Sequence, residues 1–401
     1  MKRFILLLVL IFSIAQAQER VKFSGQIRPR FEIDNKDFKS TTEANTFTAF
    51  RTRFGVSLLP TANTSGYIQI QDSRIFGEET STTTNMKNLD LHQAYIKIDN
   101  LFDLPFDLKA GRFEMSYGSE RFIGSVNWNN VGRSFDGAIL SLKGEKFKID
   151  FIGSREFERA RLGDTLDQNV YGAFVDLMII KNYKIQPFVI MQNSVKSEAL
   201  KRTTFGFYVM GDLGQFVHEI DFGYQTGSLI SLNRKQDIGA YTFSFNAGYT
   251  FDTPLKPFFG AQLDIASGDD NLADNDYSAY ASLYGTGHKF FGYMDYFTSF
   301  PNDAYGVGIS DLVIKGALSP IAKLKLNLHF HLFNSMQDYS LISGAKTKQF
   351  GSEIDFVASY KYNEAVTFEG GFSFFSPGEI FKERRGKDSA SWGYFMAVVN
   401  F

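Results

Sequence analysis

From residue 21 onward the chain alternates apolar and polar side chains with a period of two, the mark of strands with one apolar and one polar face. In AKLKLNLHFHLF, Leu324, Leu326, Leu328, Phe330 and Leu332 fall on one face and Lys323, Lys325, Asn327, His329 and His331 on the other. SEIDFVASYKY sets Ile354, Phe356, Ala358, Tyr360 and Tyr362 against Glu353, Asp355, Val357, Ser359 and Lys361. GAYTFSFNAGYTF sets Tyr241, Phe243, Phe245, Ala247, Tyr249 and Phe251 against Thr242, Ser244, Asn246 and Thr250. No helix of useful length interrupts this pattern. The runs predict strands near 21–34, 46–60, 65–77, 88–100, 106–118, 135–145, 147–158, 169–180, 183–195, 202–213, 215–229, 237–251, 255–269, 303–320, 322–336, 348–362, 365–381 and 390–401.

Such strands, about twelve residues each, exceed the roughly five or six usual in soluble sheets. They suit a tilted membrane crossing, which needs about nine to eleven. Connections 35–45, 78–87, 119–134, 159–168, 270–302, 337–347 and 382–389 are long and polar, whereas Thr61–Thr64, Leu101–Pro105, Lys181–Asn182, Asp252–Pro254 and Asn363–Glu364 are short. Long and short connections alternate, so one rim carries loops and the other only turns, as in barrels with long extracellular loops and short periplasmic turns. A sandwich, propeller or solenoid would hide the aromatic face in a core, and no fixed repeat period supports the last two. In lipid only a closed barrel satisfies every strand edge. The fold class expected is all-β, a transmembrane antiparallel β-barrel of about 18 strands.

Both termini agree. MKRFILLLVLIFSIAQAQ has a charged start at Lys2 and Arg3, an apolar stretch from Phe4 to Ile14 and a small-residue cleavage site at Ala15–Ala17. This reads as a signal peptide over residues 1–17, leaving 18–401 as a single barrel domain. The chain ends SWGYFMAVVNF, with Phe395, Ala397, Val399 and Phe401 on one face. A last strand with a terminal Phe resembles the insertion signal read by the barrel-assembly machinery of Gram-negative outer membranes, so outer-membrane lipid is the expected surrounding.

Without the leader, 40 basic residues stand against 44 acidic ones, which gives no electrostatic case for nucleic acid. The absence of cysteine excludes disulfides, thiolate metal sites and a lipid-modified N-terminal cysteine. There is no Gly-x-Ser-x-Gly and no His-x-x-x-His, so nothing in the sequence points to an enzyme. No cofactor is expected. Asp269, Asp270, Asp274 and Asp276 offer oxygen ligands for calcium in an outer loop, without the glycine and terminal glutamate of an EF-hand; a solvated acidic loop explains them as well.

In a barrel of this kind charged strand residues line the lumen. The first strand sets Lys22, Gln26, Arg28, Arg30 and Glu32 opposite Phe23, Ile27, Phe31 and Ile33, and the second offers Arg51 and Arg53. The fifth would place Arg112 and Glu114 in the lumen, with Phe113, Met115 and Tyr117 outward. Clustered arginines suit an anionic solute, because guanidinium grips carboxylate or phosphate in a fork. The same side chains would equally brace the wall of a large barrel. Asp72 and Arg74 share the face of Ile68 and Ile70, so either the strand leaves the membrane before Asp72 or a bulge flips the register.

The stretch GRFEMSYGSERFIGSVNWNNVGRSFDG, residues 111–137, resembles the alginate export family of outer-membrane proteins: Gly-Arg, Tyr-Gly, an Arg, Trp-x-Asn, then Arg-x-x-Asp-Gly. RTRFGVSLLP, GYIQIQDSRIFG and LDLHQAYIKI are similar to that family's N-terminal hairpins, and ASGDDN with GTGHKFFGYMDYF to its late long loop. The resemblance implies a monomeric eighteen-stranded barrel that passes an anionic polysaccharide through an arginine-lined constriction. It marks Arg28, Arg51, Arg53, Arg74, Arg112 and Arg133 as candidate pore cations, with Glu114 and Asp136 as acidic partners; Arg121 joins them if its loop folds inward.

The expectation is therefore an outer-membrane channel for passive passage of anionic or polar solutes, oligosaccharides among them. A general or phosphate-preferring porin, a barrel enzyme and a structural or adhesive barrel plugged by its own loops are the rivals.

Overall fold

In the computed structural model, residues 20–84, 88–157, 167–194, 200–231, 234–271 and 273–401 are described. The expected signal peptide lies outside the described residues. Eighteen long antiparallel strands follow one another: β1 (Val21–Asn35), β2 (Asn45–Thr61), β3 (Thr64–Ile75), β4 (Leu89–Ile98), β5 (Phe106–Phe113), β6 (Phe135–Lys143), β7 (Phe147–Phe157), β8 (Gln168–Leu177), β9 (Tyr183–Ser194), β10 (Leu200–Leu213), β11 (Phe216–Ser231), β12 (Arg234–Thr250), β13 (Phe258–Ala266), β14 (Ile309–Ile321), β15 (Leu324–Ser340), β16 (Lys346–Lys361), β17 (Val366–Pro377) and β18 (Ala390–Asn400). Each pairs with its sequence neighbours, and β18 returns to β1 in a register from Gln26↔Asn400 to Asn35↔Ser391. The sheet therefore closes, with every long strand paired on both sides along at least part of its length. No helix among the described residues is long and apolar enough to cross a membrane.

The period of two decides which side chains meet lipid. Phe23, Ile27, Phe31 and Ile33 are exposed on the outer surface while Arg28, Arg30 and Glu32 are buried within. Ile354 and Phe356 likewise stand outward, against buried Glu353 and Asp355; Leu328, Phe330 and Leu332 stand outward, against buried His331. This is the inverse of a soluble protein and the arrangement a hydrocarbon surrounding demands.

The interior is not an empty pore. The segment between β5 and β6 and the one between β13 and β14 both fold into the lumen and pack there as two apolar cores. One core joins Phe297, Phe300 and Met294 of the later segment to Phe38, Phe333, Phe350, Phe375 and Trp392. A short helix, α1 (Glu379–Arg384), adds Ile380 and Phe381 to it. The other core joins Phe113, Met115, Phe122 and Ile123 to Ile139, Ile152, Phe174, Phe188 and Tyr284. A two-residue strand, Asp276–Tyr277, lies parallel against β12 within the later segment. Connections expected to be long are not all so: 341–345 is a short turn, because β15 and β16 run on to Ser340 and from Lys346.

Candidate functional site: the infolded loops and the lumen wall

Strand β5 ends at Phe113, and the backbone beyond it turns into the barrel. Gly111 (φ 131°) sits where any Cβ would meet the Ala94 carbonyl at 2.3 Å, so this close approach to β4 requires glycine. Residues 114–134 then cross the lumen as irregular backbone, which leaves successive carbonyl oxygens needing donors.

The arginines of β1 and β2 supply them. Arg28 donates to the carbonyls of Asn127 (2.6 Å), Trp128 (3.0 Å) and Asn129 (3.0 Å). Arg51, its direct cross-strand partner, donates to Asn127 (3.0 Å) and Asn129 (2.9 Å) and to Gln26 Oε1. Arg30 donates to the Trp128 carbonyl (2.6 Å), stacks 4.2 Å over the Trp128 ring and pairs with Glu32 (2.8 Å), which also accepts from Trp392 Nε1. Arg53 donates to Gln71 (2.6 Å) and to the Asn127 side chain (3.1 Å), and pairs with Glu114 (3.1 Å). Three guanidinium groups thus converge on three consecutive carbonyls, and Arg53 holds the Asn127 side chain and the Val131 carbonyl beside them. A bulge in β4 turns His92 inward, where its Nε2 lies 2.7 Å from Glu114.

The two infolded segments are joined backbone to backbone. Tyr284 N–H donates to Phe122 (2.9 Å), Gly124 N–H to Tyr284 (2.8 Å) and Thr286 N–H to Glu120 (2.9 Å). Arg133 closes the joint by donating to the carbonyls of Gly124, Tyr284 and Gly285. The Trp128 ring stacks on His288 at 3.9 Å, so Arg30 and His288 cover both its faces. Arg121, fully buried, donates to Asp264 (2.9 Å), approaches Asp221 (3.8 Å) and stacks 4.0 Å over Phe290. Burial opposes its charge, but Asp264 and Asp221 outweigh that and hold the guanidinium above its ordinary range.

The expected pore residues therefore divide. Arg28, Arg30, Arg51, Arg53, Glu114, Arg121 and Arg133 lie inside, and each is engaged with the infolded segments. Arg112 and Asp136 are cross-strand partners on the outward face, paired with each other at 2.7 Å. The inward face of β5 is instead that of Asp107, Lys109 and Phe113. The expectation that Phe113, Met115 and Tyr117 meet lipid is corrected for the same reason: all three pack inside, Tyr117 stacking on Phe174. Arg74 also stays outward, held by Asp72 (2.5 Å) and Glu79 (3.1 Å); the bulge lies on β4 and leaves the parity of Asp72 unchanged. Replacing Arg112 by Gln is accordingly expected to leave ion selectivity untouched, and a shifted reversal potential in a salt gradient would return Arg112 to the pore.

Of the acidic residues considered for calcium, Asp269 accepts from the amides of Asn271 and Ser278, and Asp274 from that of Asp276. Among the described residues no three His, Asp or Glu side chains converge as metal ligands would.

Below the infolded segment a chamber of about 540 Å³ is lined by Lys97, Asp107, Lys109, Lys143, Lys148, Asp150, Asp176, Lys184 and Gln186, with Glu114–Tyr117 as its roof. The sequence reading passed over Asp107 and Lys109; their shared parity with Phe113 was the available signal.

A family model described as alginate export matches residues 19–395. Comparison with curated proteins gives no match. Among solved structures, OccAB3 of Acinetobacter baumannii superposes with a TM-score of 0.64 at 10% identity, covering 95% of this chain and 99% of that one. OpdO of Pseudomonas aeruginosa gives 0.63 at 11% identity, with 95% and 97% covered. OccK11 (OpdR) of Pseudomonas aeruginosa gives 0.60 at 14%, with 95% and 96% covered. At these identities the likeness is one of fold.

Proposed function

The chain belongs to the alginate export family, and from that premise we propose that it is a monomeric outer-membrane channel for passive passage of anionic or polar solutes, oligosaccharides included. The observation that carries this reading is the contrast between the two faces of one closed sheet. Aliphatic and aromatic side chains face outward, while Arg, Lys, Asp, Glu and Gln line the inside and leave a charged chamber at the short-turn end. Fixed charges along a lumen sort solutes without covalent chemistry. Insertion through β18 and the assembly machinery, in a Gram-negative outer membrane, belongs to the same proposal.

One observation favours a second reading, a barrel plugged by its own loops: the infolded segments meet across the lumen and share backbone hydrogen bonds. Planar bilayers separate the two. The purified protein is expected to give stepwise conductance with a reversal potential favouring anions. Silence that persists after deletion of residues 118–131 would overturn the channel, and a cation-favouring potential would overturn the anionic preference alone.

A further inference from the structure

We propose that Lys109 and Lys184 form the anion-binding subsite of this channel, in the chamber beneath the infolded loop, and that small organic anions rest there in transit. This deepens the channel reading and rests on it.

The argument starts from which cations are already engaged. Arg28, Arg30, Arg51 and Arg53 spend their donors on the loop carbonyls, and Arg121 lies between two carboxylates. Within the chamber most ammonium groups are compensated as well. Lys143 pairs with Asp107, Lys148 with Asp150 (2.8 Å) and Lys97 with Asp99 (2.7 Å). Of the carboxylates, Asp150 also accepts from Tyr117 (3.0 Å) and Glu114 pairs with Arg53 (3.1 Å), whereas Asp176 accepts from the neutral amide of Gln186 and keeps its charge.

Lys109 and Lys184 differ. Among the described residues no carboxylate lies within ion-pair distance of either. Lys109 instead sits 4.1 Å over the Tyr95 ring and 4.5 Å over Phe113, and Lys184 5.5 Å over Tyr208. Ring faces support a cation without cancelling its charge. Both ammonium groups line the one chamber, so among the described residues it holds two lysines without an ion-pair partner against one such carboxylate, Asp176, and the balance stays positive. Ser116, Ser141 and Gln186 in the same wall suit hydroxyl groups on the anion. An ammonium binds anions as a point charge rather than in a fork, which favours release as well as capture.

The test is flux of gluconate against glucose into proteoliposomes, with single-channel conductance in potassium chloride recorded alongside. Lys109→Gln/Lys184→Gln is expected to lower the gluconate-to-glucose ratio about tenfold, the equivalent of roughly 1.4 kcal/mol, while glucose flux holds. Lys109→Arg/Lys184→Arg is expected to keep the ratio, and retained heat-modifiable migration shows that each variant has folded. If Lys109→Gln fails to fold, Lys184→Gln alone is expected to lower the ratio. An unchanged ratio in a conducting protein overturns this subsite and leaves the channel standing; silence that persists after deletion of residues 118–131 overturns both.

Discussion

Replacing Arg28 and Arg51 together by alanine is expected to raise single-channel conductance several-fold and make it noisy. These two side chains donate five hydrogen bonds to the carbonyls of Asn127, Trp128 and Asn129. Either one alone still reaches Asn127 and Asn129, so a single replacement leaves the segment attached. The double replacement strips both carbonyls and leaves Arg30 as the one remaining donor to Trp128. Each orphaned buried carbonyl costs on the order of 1–3 kcal/mol, enough to drive the segment out of the lumen toward water. Arg28→Lys/Arg51→Lys keeps the charge but loses the fork and should fall between. The direction of the change is what decides: arginines that touch the passing ion would give lower conductance and weaker anion preference on removal, whereas loop anchors give higher conductance. A fall would therefore return the cluster to solute contact.

Arg121→Leu is expected to cost about 3–5 kcal/mol of barrel stability, the usual result of breaking a buried ion pair from one side. Its guanidinium lies between Asp221 on β11 and Asp264 on β13, both buried, and its loss leaves two buried carboxylates without their cation. Thermal unfolding in detergent, followed by the heat-modifiable band, measures the effect. Arg121→Leu/Asp221→Asn/Asp264→Asn removes the uncompensated charge and should recover much of the loss. If the single replacement unfolds at the same temperature as the unaltered protein, Arg121 does not pin the segment to the wall.

The wall was legible in the sequence because lipid outside and charge inside impose alternation on every strand. Strand β16 shows this plainly, with Ile354 and Phe356 outward and Glu353 and Asp355 buried. The reading failed where the lumen is itself apolar. Phe113, Met115 and Tyr117 look like a lipid face, yet they meet Phe122 and Phe174 inside because a later part of the chain folds into the barrel. Aromatic character alone does not distinguish a ring facing lipid from one facing an infolded loop; sharing the strand face of Asp107 and Lys109 does. The arginine cluster was legible as a cluster, but its partners were not, since backbone carbonyls some seventy-five to a hundred residues away leave no mark in side-chain patterns.

The seam between β1 and β18 has a consequence for how the chain comes into being. Gln26 pairs with Asn400, and Gly25 exchanges both backbone hydrogen bonds with Phe401. The first strand made must wait for the last, and until then β1 and the newest strand both present open rows of donors and acceptors. Such edges have no place in hydrocarbon and invite pairing with other chains in water. A chain cut short anywhere before β18 keeps both of them, so completeness at the C-terminus is the condition for membrane residence, and fragments are left to aggregation or proteolysis.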